Sequence, residues 1–318
     1  MISSIRKNIF RMEIPLPDNP LKSVNSYAIL GREKGLLVDT GLNTDESYEV
    51  LISDLKEISA DCVKWDYFIT HFHADHSGLI SRLLSKESNV YYKQRGWKGW
   101  KEILEYARRN GITEDIIQYC MKRYFNSSYG HDALNETVSL EDNEIIEYGG
   151  YRFRCINTPG HAVGHQCLYE ADEKILISGD HLLGDITPGI QCWDETGDPL
   201  KIYLNSLDKI YPLEVSEVLP GHRRPFSHFK ERVTEIKRHH EERLEETKNL
   251  LHLGPGNAFS IASMMTWGVD DISWDQFSPI LKWFATGEAI AHLRYLERKG
   301  EIKEKTGDYE MAYMNLNS

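Results

Sequence analysis

Three imidazoles and one carboxylate fall within six residues in the stretch His71-Phe72-His73-Ala74-Asp75-His76. A bound metal ion needs several lone pairs converging on one point, and neutral imidazole is the commonest side chain to supply them. The stretch follows Tyr67-Phe68-Ile69, a short apolar run that reads as a buried strand. Spacing of two puts His71 and His73 on the same side of an extended segment. Asp75 and His76 come where the chain should turn, at the carboxyl end of that strand. A lone His-x-His pair is a weak signal, but His-x-His-x-Asp-His after an apolar strand is a strong one.

This stretch resembles the metallo-β-lactamase superfamily of metallohydrolases. Three later motifs extend the resemblance in the family's order: Thr158-Pro159-Gly160-His161, Ser178-Gly179-Asp180 and Pro220-Gly221-His222. It covers roughly residues 8–250 and implies an α/β fold, the αββα sandwich of that family. It also implies a ligand set: one metal on His71, His73 and His161, and a second on Asp75, His76 and His222. Asp180 lies between them as a bridge, since a carboxylate has two oxygens. The aspartate of Asp39-Thr40-Gly41 resembles the family's group that steadies a ligating histidine, as a carboxylate on the far ring N–H does. His165 takes a supporting role; His181 and Asp185 are placed near the metals, for substrate contact or a structural hydrogen bond. All-N/O ligation suits Zn, and Fe or Mn as well, so the expected cofactor is two divalent transition-metal ions with Zn as the first choice. Two such cations share a water, lower its pKa to supply hydroxide, and polarise a carbonyl. Asp75, besides ligating, is the candidate to take a proton during turnover.

These donors need a scaffold. Residues 26–30 and 36–39 are apolar runs around a polar turn with Gly31 and Gly35, which predicts a hairpin. Residues 43–58 read as a helix capped by Asn43 with Glu46, with Tyr48, Leu51, Leu55 and Ile58 on its apolar face. Residues 96–126 read as a helical insertion of two helices joined at Gly111 and rich in aromatics, among them Trp97, Trp100, Tyr106, Tyr119, Tyr124 and Phe125, with Tyr129 just beyond. A lid over an acyl or aromatic part of the substrate is one use of such residues; packing the insertion onto the body is the other. Helices are expected at 199–210 and 229–251. His239 and His240 are adjacent, so they do not share a helix face and are given no metal role. Arg223 and Arg224 follow the last ligand, where an anionic substrate group or a surface salt bridge would use them.

Gly254-Pro255-Gly256 is the expected boundary between a catalytic domain, 1–253, and a small domain, 254–318. The tail is predicted to hold helices at 258–267, 277–285 and 287–299 and a hairpin about Thr306-Gly307-Asp308. It resembles a winged-helix domain. Residues 254–318 carry nine acidic and six basic side chains, which favours packing or homodimerisation over DNA binding. The net charge of −12 over 318 residues likewise argues against a nucleic acid or an anionic membrane as partner. Five scattered cysteines, Cys62, Cys120, Cys155, Cys167 and Cys192, form no Cys-x-x-Cys pair and read as reduced thiols of a cytoplasmic protein. No run is long enough for a signal peptide or a membrane span.

Three activities compete. The motif from Thr158 to Gln166 looks like that of glyoxalase II-like thioesterases and acyl-homoserine lactonases, so the expectation is hydrolysis of a small thioester or lactone with an apolar part. A phosphodiesterase or endoribonuclease fits the domain order but not the acidic balance. A mononuclear-iron persulfide dioxygenase shares the His-x-His-x-Asp-His stretch.

Overall fold

The computed structural model describes residues 1–17, 19–58, 64–93, 99–122, 137–268, 272–307 and 311–316. Cys62, Trp97, Tyr124, Phe125 and Tyr129, which the sequence reading used, lie outside them. In chain order come β1 (Ile2–Arg6), β2 (Ile9–Pro15), β3 (Ser23–Ile29), β4 (Lys34–Val38), α1 (Asp45–Ile58), β5 (Lys64–Phe68), α2 (Ala74–Ser77), α3 (Ile80–Leu83) and β6 (Val90–Tyr91). Then come α4 (Trp100–Arg109), α5 (Glu114–Cys120), β7 (Ile145–Tyr148), β8 (Tyr151–Asn157), β9 (Gln166–Glu170) and β10 (Ile175–Gly179). The rest is α6 (Pro199–Ile210), β11 (Glu217–Pro220), α7 (Phe229–Leu251), α8 (Ala258–Met264), α9 (Pro279–Arg298), β12 (Ile302–Thr306) and β13 (Met311–Asn315). No helix among the described residues is long and apolar enough to cross a membrane.

The chain forms two compact units, each assembled from three segments: 1–95, 128–188 and 206–233 in the first, 96–127, 189–205 and 234–318 in the second. The first holds two sheets, ordered β1-β2-β3-β4-β5-β6 and β11-β10-β9-β8-β7. Strand alternation decides what lies between and outside them. Tyr27, Ile29, Leu36 and Val38 meet Phe153, Leu168 and Ile177 in the core between the sheets. Their neighbours Val24, Ala28 and Leu37 point the other way, onto Leu51 and Leu55 of α1 and Ile80 of α3. A sheet covered on both faces needs apolar residues on both, so these strands read as continuous hydrophobic runs. Along the second sheet, α6 is tied by Ser206 Oγ donating to Pro159 O (2.7 Å) and Lys209 Nζ donating to Asn157 O (2.8 Å). Helix α1 differs from expectation at its start. Thr44 is the cap, its Oγ1 accepting from Ser47 N (3.1 Å), because it is the residue directly before the first helical turn.

The second unit gathers α4, α5, α8, α9 and the β12–β13 hairpin. Ile103, Ala107, Ile116, Ile117 and Trp283 form its apolar cluster. Two helices were expected at 277–285 and 287–299; one helix, α9, runs through both. Gly287 does not break it. It makes room for Trp193, whose Cζ2 would stand 2.6 Å from an added Cβ, while Trp193 stacks on Trp283 with ring centroids 4.4 Å apart. Cys120, Cys155, Cys167 and Cys192 are buried free thiols, each pushed up to about 12 by burial.

Between α7 and α9 lies a buried histidine pair. His292 Nδ1 donates to Glu288 O (2.8 Å), so its Nε2 accepts from His240 Nδ1 (3.2 Å). The Tyr203 ring of α6 meets His240 edge-on, and His240 Nε2 is buried without a hydrogen bond. Burial holds both rings well below the usual histidine range, helped at His240 by His292, His239 and Arg243 and at His292 by Arg243 and His239; His292 lies at about 3. An unfolded chain takes up these protons below about 6.5, and the folded rings refuse them, so the pair's contribution is lost as pH falls. Glu288 opposes this: burial, against Arg243, pushes it up to about 7, so its contribution is present at low pH and lost as pH rises from its unfolded value, about 4.3, through 7. Two rings outweigh one carboxyl. The urea midpoint of the protein should therefore drop between pH 7 and pH 5, and the drop should be smaller in His240→Leu/His292→Leu. An identical drop in the double variant would remove the pair as its source.

Candidate metal centre

Parallel pairing builds the rim on which the candidate donors stand. β4 lies beside β5 with Val38 opposite Phe68, and β10 beside β11 with Gly179 opposite Pro220. Chains in a parallel pair end at the same side, so the loops after these strands emerge together. Those loops carry Asp39, residues 70–76, Asp180 and His222; His161 comes from the turn after β8. Backbone bonds tie the loops: Thr40 N to His76 O (2.8 Å), Gln166 N to Thr70 O (2.9 Å), Gly221 N to Gly179 O (2.8 Å) and Asn25 N to Gly221 O (2.7 Å).

All seven residues predicted from the motifs come together. Donor atoms of His71, His73 and His161 lie within 4.8 Å of one another, as do those of Asp75, His76 and His222, and those of His71, His76 and Asp180. His73 Nδ1 is 2.8 Å from His71 Nε2 and 3.0 Å from His161 Nε2. Asp180 reaches both groups: Oδ2 is 3.7 Å from His161 Nε2 and 3.4 Å from His222 Nε2, and Oδ1 is 3.5 Å from His76 Nε2. His76 Nε2, His222 Nε2 and Asp180 Oδ1 are buried and make no hydrogen bond. Buried polar atoms rarely go without partners. A donor set of imidazoles and carboxylates, aimed inward and left without a hydrogen-bond partner, fits divalent transition metals.

The scaffold decides which nitrogen each ring presents. Asp39 Oδ1 accepts from Thr70 N (2.8 Å), and Oδ2 accepts from Thr70 Oγ1 (2.8 Å) and His76 Nδ1 (2.7 Å). Having given its proton to Asp39, Thr70 Oγ1 accepts from His71 Nδ1 at 3.0 Å. Ser23 O, which only accepts, fixes the proton of His222 on Nδ1 (2.9 Å). Each of these rings therefore turns Nε2 to the centre.

Electrostatics divide the centre. Burial, with neighbouring imidazoles adding to it, holds His71 well below its usual range and His73 at about 3, so both rings are neutral. Burial acts the same way on His76 and His222, but the carboxylates of Asp180, with Asp39 or Asp75, outweigh it. His76 is raised well above its usual range and His222 to about 10. Burial raises Asp75 and Asp180, and the facing histidines more than reverse it, so both stay ionised. The second group thus carries protons where a cation fits.

The remaining candidates fall outside the donor groups. His165 is buried behind His71, ring centroids 5.1 Å apart, with Nδ1 2.8 Å from Thr158 Oγ1. His181 is buried with its ring 5.9 Å from that of His165, and Asp185 is exposed. Four contributors escaped the sequence reading. Thr70 relays Asp39 to His71. Arg232 holds the loop after Asp180, donating to Leu183 O (2.7 Å) and Ile186 O (2.9 Å). Gly179 and Gly221 let backbone approach the centre. A Cβ on Gly221 would run into Asp180 Oδ1 and lie 2.8 Å from His76 Cε1; one on Gly179, at φ +48°, would lie 2.8 Å from His165 Nε2. The signal was present in Ser-Gly-Asp and Pro-Gly-His, where glycine directly precedes the donor.

Gly221→Ala should leave the circular dichroism spectrum intact while lowering metal content by elemental analysis, because the new methyl displaces Asp180 rather than a core residue. Asp39→Ala should weaken metal affinity about 10–100-fold, the usual cost of losing such a support. Full metal affinity in Asp39→Ala, measured by chelator competition, would show that the carboxylate does not position His76.

Known proteins place the fold and the motifs together. The chain superposes on a metallo-beta-lactamase family protein, TTHA1429, from Thermus thermophilus with a TM-score of 0.77, 27% identity, and coverage of 98% of this chain and 100% of that one. It is 28% identical over 233 residues to the Beta-lactamase-like protein 2 homolog of Caenorhabditis elegans, covering 73% of this chain and 66% of the relative. It is 24% identical over 215 residues to the Acyl-coenzyme A thioesterase MBLAC2 of Bos taurus, covering 62% of this chain and 72% of the relative. Matches to the first curated relatives span about half to two thirds of their length. Residues 19–222, from just ahead of β3 to the last candidate donor, match the sequence model described as "Metallo-beta-lactamase superfamily", and the chain belongs to that superfamily.

Proposed function

We propose that this protein is a binuclear metal-dependent hydrolase acting on a small thioester or lactone. The observation that carries the reading is the pair of donor groups sharing Asp180. His71, His73 and His161 would hold one divalent ion; Asp75, His76 and His222 the other. When bound, such ions acidify a shared water and polarise a carbonyl.

The chain's own groups suit that chemistry. His71 and His73 are neutral and need shed no proton to ligate. Asp75, with 22% of its side chain exposed, is the most open carboxylate of the centre and the one placed to take a proton from an entering nucleophile. A thiolate leaving group needs no general acid, since its conjugate acid has a pKa near 8.5. Phe72, its ring 4.9 Å from that of His73, and Val163, 59% exposed just past His161, offer apolar surface for an acyl chain. The thioesterase name of the bovine relative supports the same substrate class. Zn is the first choice of metal. The acidic tail after Gly254 is assigned to packing or self-association of a winged-helix-like domain, with no nucleic acid or membrane as partner.

Protein purified without chelators should contain about two transition-metal ions per chain and turn over acyl thioesters or lactones in preference to phosphodiesters and short RNAs. Asp180→Ala should lose more metal than His222→Ala, because Asp180 serves both groups. A full metal complement in Asp180→Ala would sink the bridging role. One iron without a second metal would favour a dioxygenase, and efficient RNA cleavage with no thioester or lactone turnover would overturn the reading.

A further inference from the structure

Arg223 directly follows the donor His222 and stands at φ +67°. That left-handed conformation favours glycine and is disfavoured for a residue with a Cβ. The surroundings hold it there. Asn25, buried on β3, donates through Nδ2 to both Pro220 O (2.8 Å) and Arg223 O (2.8 Å). Arg11 of β2 donates through Nη2 to Arg223 O (3.1 Å) and through Nε to Asn25 Oδ1 (2.9 Å). Two strands thus clamp a strained backbone that glycine would adopt without strain. Strain maintained in this way points to a use for the side chain.

Among the described residues the side chain meets no ionic partner. Arg223 Nε is buried without a hydrogen bond. Arg6, Arg11, Arg82, Arg243 and Arg294 each have a carboxylate within 4.0 Å. Among the described residues Arg223 has none, in a chain whose net charge is −12. Acids are abundant, so this lack is a local arrangement and not a shortage. The Cα of Arg223 is about 3.8 Å from that of His222, whose Nε2 belongs to the metal centre. An arginine guanidinium presents a planar fork that matches a carboxylate or a phosphate with two parallel hydrogen bonds.

We propose that Arg223 is a specificity-determining residue that binds an anionic group, a carboxylate or a phosphate ester, carried by the substrate apart from the carbonyl that reacts. This deepens the hydrolase reading and rests on it. The anion has two sources, the acyl part or the thiol carrier.

The test compares wild type, Arg223→Gly and Arg223→Lys on three thioesters. These are the acetyl and the succinyl thioester of N-acetylcysteamine, and acetyl-coenzyme A. Glycine suits the backbone, so the melting temperature of Arg223→Gly should hold or rise. Its kcat/KM for one charged substrate, relative to the neutral acetyl thioester, should fall about 10-fold, the scale of one charge-assisted hydrogen bond, mainly through KM. Arg223→Lys should recover part of it. A fall confined to the succinyl substrate names the acyl part as the source; one confined to acetyl-coenzyme A names the carrier. Equal change on all three substrates, or none, overturns the proposal. If the wild type turns over none of them, the hydrolase reading fails by itself. Arg223 is then judged by calorimetry with succinate and with free coenzyme A: about 10-fold weaker binding of either in Arg223→Gly upholds its role, and unchanged or absent binding refutes it.

Discussion

One buried carboxylate constrains the whole centre. Asp39 stands at φ +57° beyond the end of β4 and receives three donors, Thr70 N, Thr70 Oγ1 and His76 Nδ1. Its own carbonyl accepts from Ser26 Oγ (2.6 Å), and its N–H donates to Phe68 O (2.9 Å). The left-handed turn is tolerated because every polar group of the residue is answered. Through these bonds the end of the first sheet fixes the tautomers of His76 and, by way of Thr70, of His71. A ring free to spin would present either nitrogen; these present one.

The same rim explains why the donors fit so closely. Imidazoles within 3.0 Å of one another and ionised carboxylates under 4 Å from them occupy space that a Cβ on a neighbouring residue would take. Gly221 and Gly179 vacate it. Opposite fields then give the two groups different characters. The first holds the neutral imidazoles of His71 and His73, and the second has ionised carboxylates facing protonated imidazoles. Asp180 is the element common to both.

Much of this was legible because metal donors are chemically conspicuous. Histidine and aspartate after apolar strands announce themselves in sequence, three of them (His161, Asp180 and His222) directly after a glycine, and all seven converge. Helices with a clear apolar stripe, such as α7, were legible to the residue. Less was visible where a distant partner decided. Gly287 looks like a helix break in the local pattern, and only Trp193, from another part of the chain, shows why it sits within α9. Asn43 is the better cap by residue type, yet Thr44 is the one whose hydroxyl accepts from Ser47 N. The strain at Arg223 left no sign in its own side-chain type, since its cause is the grip of Arg11 and Asn25 on its carbonyl.

The interleaving of the two units has a consequence for how the protein comes to be made. A ribosome delivers the chain from the amino end, and domains generally fold as they emerge. Here neither unit is contiguous. The first wants residues 206–233 before β11 can close its second sheet, and by then 96–127 and 189–205 have already left the exit tunnel without the 234–318 segment they pack with. Ile103, Ile116 and Ile117 must wait for Trp283. For that interval the nascent protein exposes apolar helices with nothing to cover them, the kind of surface that holding chaperones bind.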